Sequence, residues 1–119
     1  MLKNLRQFIT FNWEAFAKDK VFVCTGVKPW LKYENGEKTN ERLGTSVEAV
    51  IFHDKTKYES ASGEDITNRF EKLTFKVPAE ITIPLDKQIV PVDVQARVWG
   101  DFQNNLSIEA SRVDVVEKG

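Results

Sequence analysis

The feature that most constrains this chain is a two-residue alternation that recurs across residues 20–116, where no segment of any length carries a helical period. In "RFEKLTFKV" (69–77), Leu73, Phe75 and Val77 fall on one face, and Phe70, Lys72, Thr74 and Lys76 fall on the other. In "VDVQARVWG" (92–100), Val92, Val94, Ala96 and Val98 alternate with Asp93, Gln95, Arg97 and Trp99. Successive side chains of an extended backbone point to opposite faces, so such runs read as strands with an apolar side and a wet side. "KVFVCTGVKPWLKY" (20–33), "RLGTSVEAVIFHD" (42–54) and "NLSIEASRVDVV" (105–116) read as three more, although "VEAVIF" is apolar on both faces and gives no split.

Turn chemistry separates the runs. Asn35-Gly36 inside the polar "ENGEKTNER" is a hairpin signal. Gly26 and Pro29 mark a bend or bulge in the first strand, and Pro29 limits pairing at that point to an edge. "KTKYESASGEDITN" (55–68) reads as a mobile loop, and "GDFQNN" (100–105) as a tight turn. Pro78, Pro84 and Pro91 pin 78–91 as a connection that cannot hold a long helix. Residues 2–18 offer both a helical apolar stripe and the β-branched, aromatic "FITFNW", and the composition tips them towards strand. The expected architecture is all-β: one domain over residues 1–119, a five-stranded OB-fold barrel with an extra N-terminal segment. Closure of that kind removes exposed sheet edges. An SH3-like barrel or a small sandwich satisfies the same pattern.

Composition narrows the function classes. With 119 residues, 41% hydrophobic and 29% charged, the chain suits one modest core. Its net charge of −1 makes it no polycation, so any hold on nucleic acid must come from local patterning. Cys24 lies in the apolar "VFVC" and reads as a buried thiol; one cysteine and one histidine make neither a disulfide nor a zinc site. A reducing cytoplasm fits. No membrane span, secretory leader or cofactor is expected. Gly36, Gly44 and Gly63 are isolated, not a phosphate loop. His53 and Asp54 are adjacent and point to opposite faces, so His53 reads as a solvent-exposed strand end. Glu64 and Asp65 form at most a loose cation contact. Neither an enzyme nor a metal site is expected.

The wet faces carry the functional signal. Lys28, Trp30 and Lys32 alternate along the first strand and lead to Tyr33; Phe70, Lys72 and Lys76 lie on the third; Arg97 and Trp99 lie on the fourth. Tyr58 stands beside Lys55 and Lys57 in the loop. Rings among cations suit single-stranded nucleic acid, whose bases stack on aromatics while lysine and arginine follow the phosphates. Each ring also has a structural use, in a barrel end, beneath the N-terminal segment or at a subunit contact. The coincidence over three strands favours binding: Trp30, Tyr33, Tyr58, Phe70 and Trp99 to stack, and Lys28, Lys32, Lys72, Lys76 and Arg97 to hold phosphate. A structural or adaptor β domain, for instance a virion component with these rings in interfaces, is the alternative. A glycan-binding module is a third reading, which the cation rows disfavour.

The order of "VKPWLKYENGEKTNERLGTSVEAVIFHDKTKY", "NRFEKLTFKV" and "VPVDVQARVWGDFQNNLSIEASRVDVV" resembles the small single-stranded DNA-binding proteins of phages of lactococci and related Gram-positive hosts. The resemblance spans most of residues 20–117 as a pattern of strands and turns. It implies an OB-fold, action in the host cytoplasm, a homodimer, and protection of single strands in replication or recombination, without a cofactor. Cellular bacterial relatives end in an acidic tail with an apolar tip. This chain closes on "VDVVEKG", so any recombinase or replication protein is expected to meet another surface.

Overall fold

The structure, a computed structural model, describes residues 1–3, 5, 10–58, 66–100 and 105–116. Among these described residues, one short helix, α1 (Trp13–Ala17), precedes seven strands: β1 (Lys20–Glu34), β2 (Glu37–Asp54), β3 (Lys72–Val77), β4 (Gln88–Val92), β5 (Gln95–Trp99), β6 (Asn105–Glu109) and β7 (Arg112–Val115). They form one mixed sheet in the order β5-β6-β3-β2-β1-β4-β7, curled into a half-barrel. All neighbours are antiparallel except β3 and β6.

β1 and β2 form the spine. Asn35 and Gly36 both adopt positive φ (52° and 79°), as a two-residue hairpin loop requires, and Glu34 pairs with Glu37. Strand resumes at once, so most of the polar segment expected as turn is β2. The β2–β3 ladder runs only from Thr45–Val77 to Val50–Lys72, so the tip of the β1–β2 hairpin projects as a two-stranded arm. The register slips between Cys24 and Gly26, which puts the expected bulge there. Among the described residues, Pro29 pairs with β2 alone, because β4 pairs with β1 no further than Phe22 and Val23.

The core lies on one face. Phe22 and Cys24 of β1, Val47, Ala49 and Ile51 of β2, Phe75 and Val77 of β3, Ile89 of β4 and Ile108 of β6 are buried. Register puts Phe75 level with Val47 and Ile108, so one inward column crosses three strands. Burial of a side chain of that size contributes about 1.5–3 kcal/mol. Burial also raises the pKa of the Cys24 thiol, consistent with an inert core sulfur.

Three expectations need correction. The described part of the N-terminal segment carries a short helix at Trp13–Ala17, not a strand; residues 4 and 6–9, with Phe8 and Ile9 of "FITFNW", lie outside the described residues. Asn12 caps the helix by accepting from the Ala15 N–H (3.1 Å), and Glu14 sits in the first turn. Its aromatics then reach the core: Trp13 stacks on Phe22 (5.6 Å) and meets Phe75 edge-on (5.8 Å). Second, the connection expected at 78–91 hides the start of a strand, because β4 begins at Gln88 and contains Pro91. Pro91 tolerates this because it lies past the short β1–β4 ladder. Third, the expected fourth strand loses Val92 to β4 and the expected fifth is broken into β6 and β7, so that with β4 the described residues hold seven strands where five were expected. Asp93 turns left-handed (φ 54°) between β4 and β5, so Val92, expected in the core, falls on the opposite face from Ile89 and Pro91.

The breaks leave the pairing intact. Ile89–Val115 to Val92–Arg112 and Gln95–Glu109 to Trp99–Asn105 follow one unshifted register, and the Ser111 N–H bonds to the Val92 carbonyl (2.9 Å) at the kink. The two ends of the strand order are therefore halves of one bent hairpin. Residues 59–65 of the expected loop, with Glu64 and Asp65, and residues 101–104 of the expected tight turn lie outside the described residues.

Candidate nucleic-acid interface

Register decides which side chains share the face turned away from the core. Lys28 pairs with Ser46 and Ser46 with Lys76; on the far side of β3, Lys76 is level with Glu109, and Glu109 with Gln95. Trp30 is level with Gly44, Lys72 with Val50, Arg97 with Ser107 and Trp99 with Asn105. Lys28, Trp30, Lys72, Lys76, Arg97 and Trp99 thus occupy one outer face across β1, β3 and β5. Lys72 and Lys76 stand about 13 Å apart along β3 at the usual strand rise.

The rings on that face differ in setting. Trp30 is half-buried, with the Lys76 ammonium 5.4 Å from its ring centroid. Gly44 opposite it has no alternative: a Cβ there would overlap the Val77 carbonyl oxygen and press on Pro78. Trp99 is 54% exposed and stands at the β5 edge of the sheet. Trp30 and Trp99 supply the aromatic surface of the face, whereas Trp13 is packed among core rings.

The cations divide into paired and unpaired. Lys28 meets the Glu48 carboxylate at 2.7 Å, a hydrogen bond and opposite charge that raise the lysine pKa. Glu48 lies on the same face and leans over Gly26, where a Cβ would approach its Oε2 to 3.1 Å. Lys32 contacts Glu34 (3.3 Å) and Glu41 (3.6 Å) within the arm. Lys72, Lys76 and Arg97 form no ion pair among the described residues.

Four expected site residues sit elsewhere. Lys32 lies within, and Tyr33 beyond, the second of two register slips that follow Trp30, on the projecting arm, where Tyr33 is exposed and level with Lys38. Phe70 is not on the third strand: it occupies a turn before β3 with φ 73°, held by its N–H bond to the Ile51 carbonyl (2.6 Å). Its exposed ring carries the Arg69 guanidinium at 4.5 Å. Tyr58 is no loop-tip platform. Its hydroxyl donates to Asp54 (2.7 Å) and accepts from Asn68 (2.8 Å), and the Lys20 ammonium lies 5.2 Å from its ring.

That tyrosine belongs to a buried polar knot. Lys20 and Asp54 are fully buried at 3.4 Å, and Lys20 donates to the Phe16 carbonyl (2.7 Å) and to Thr56 (2.9 Å). Asp54 accepts from Tyr58, from the Asn68 N–H (2.7 Å) and from the Thr56 N–H (3.1 Å). Burial alone raises its pKa, but those hydrogen bonds outweigh it and hold the carboxyl well below the usual carboxylate range. The described flanks of the expected mobile loop are pinned by this knot.

Sequence reasoning missed Arg69, Phe52 and Lys38. "RF" at 69–70 was a visible cation–ring pair, and the Asn-Gly turn implied Lys38 opposite Tyr33. Phe52, 44% exposed and edge-on to the exposed His53 (4.8 Å), was masked by the two-sided apolarity of "VEAVIF". Among the described residues no cluster of His, Cys, Asp and Glu could hold a metal, and no helix is long and apolar enough to cross a membrane. No family model, curated protein or solved structure matches the chain.

Proposed function

We propose that this chain is a sequence-tolerant single-stranded DNA-binding protein with an OB-type barrel, acting in phage DNA replication or recombination in the host cytoplasm. The observation that carries the reading is the shared outer face: two tryptophans, Trp30 and Trp99, with Lys28, Lys72, Lys76 and Arg97 set among them. Stacking on exposed rings tolerates any base, since every base has a flat face, and the cations neutralise phosphate. The OB reading draws support from a three-strand antiparallel meander (β1, β2, β3), a parallel β3–β6 step, and a bent hairpin whose halves flank both ends of the sheet.

Homodimerisation belongs to the same proposal. β7 is an edge strand, and Val90 of β4, Val116 just after β7 and Phe52 of β2 are exposed apolar side chains that a second copy could cover. Two linked copies would raise avidity on a long strand.

The test is tryptophan quenching by oligo-dT at several salt concentrations, with single-stranded RNA and duplex DNA as comparisons. Quenching that weakens with salt and drops sharply in Trp30→Ala and Trp99→Ala is expected, each substitution costing about 1–3 kcal/mol of binding. No quenching at low salt removes the reading.

A further inference from the structure

The β3–β6 ladder holds only at Phe75–Ile108 and Lys76–Glu109. Towards Lys72 and Asn105 the two strands diverge and leave a cleft of about 660 Å³. Its apolar lining includes Phe16, Ile51, Leu73 and Leu106; Trp99 and Lys72 also line it, as do Asn68, Glu71 and Asn105. The volume is that of a small-molecule pocket. An aromatic ring, an apolar floor, a cation and a few polar groups are the parts that seat an unstacked base next to its phosphate.

We infer that this cleft receives one nucleobase of the bound strand and favours a base carrying an exocyclic amino group. The inference rests on the single-strand-binding reading and assigns the protein's base preference to this slot, not to the open face. Glu71 is set by its backbone, whose carbonyl accepts from the Ile51 N–H (2.9 Å) and whose N–H donates to the Asn68 carbonyl (3.1 Å). A carboxylate repels phosphate but accepts from an amino group, as it does from cytosine N4. Thymine has no amino group. Lys72, next in sequence and exposed, is positioned for the phosphate of the same nucleotide.

The experiment uses the full chain and labelled dT oligonucleotides in which one central thymine is replaced by adenine, cytosine or guanine. A seated amino base should raise affinity over all-dT by about five- to tenfold, the worth of one well-made polar contact. Glu71→Ala should erase that ratio while all-dT binding holds or rises, because a negative charge is lost. Asn105→Ala, at a second exposed position of the cleft, should shrink it. Equal wild-type affinity for all four oligonucleotides overturns the inference but leaves the proposed function standing. So does a preference that survives both substitutions. Failure to bind any of them overturns the proposed function, and the inference with it.

Discussion

Glu48→Gln should tighten single-strand binding. Glu48 sits on the proposed binding face, 2.7 Å from Lys28, so its carboxylate occupies the place a phosphate would take. A phosphate seated on the far side of that ammonium would lie about 6 Å from the carboxylate, a repulsion of about 0.7 kcal/mol in bulk water and about 3 kcal/mol at an effective dielectric of 20. Lys28 is 65% exposed, so the lower end applies, about 1 kcal/mol or fivefold in affinity at low salt. Folding should barely change, because an exposed pair contributes about 0–1 kcal/mol. Freeing Lys28 from Glu48 also lets its full charge count towards the phosphate it holds, which steepens the log–log salt slope by up to about 0.7 on a single strand. Titration of intrinsic fluorescence with oligo-dT from low to moderate salt reads both quantities. Wild-type binding with an unchanged constant and slope in Glu48→Gln would refute the placement of the strand over Lys28.

Tyr58→Phe should leave oligo-dT affinity unchanged and lower stability by about 1.5–3 kcal/mol, the worth of a hydrogen bond to a charged group; weaker binding at unchanged stability would return Tyr58 to the interface. Asp54 gives an acid limit. Its folded pKa is depressed, so its stabilisation is complete above the unfolded value near 4 and is lost as pH falls from there towards the folded value. Denaturant midpoints should fall below about pH 4, and Asp54→Asn should flatten that dependence and cost about 3–5 kcal/mol by stranding buried Lys20. Gly44→Ala should destabilise the protein markedly, because its Cβ would collide with the Val77 carbonyl; an unchanged melting temperature would contradict that close approach.

The alternation of Leu73, Phe75 and Val77 and the Asn-Gly turn were legible in the sequence because each is local: residue spacing sets the face, and backbone sterics set the turn. For the same reason Lys72 and Lys76, or Arg97 and Trp99, could be assigned to one side of their own strands. β4 was hidden by Pro91, whose cost depends on which neighbour its edge lacks. Val92 was misassigned because the left-handed turn at Asp93 reverses the alternation, and a plain count of residues does not register it. Tyr58 read as a loop tip because its partners, Asp54, Asn68 and Lys20, come together only when three segments meet.

Sequence alone determined the β character, the β1–β2 hairpin and the inward residues of β3, since these follow from backbone geometry and side-chain chemistry within a few residues. The tertiary structure decided that Trp30, Lys76 and Trp99 share one surface, that Lys28 is met by Glu48, and that a cleft opens beside β3. Those facts depend on register between strands distant in sequence, where a slip of one residue turns every side chain to the other face.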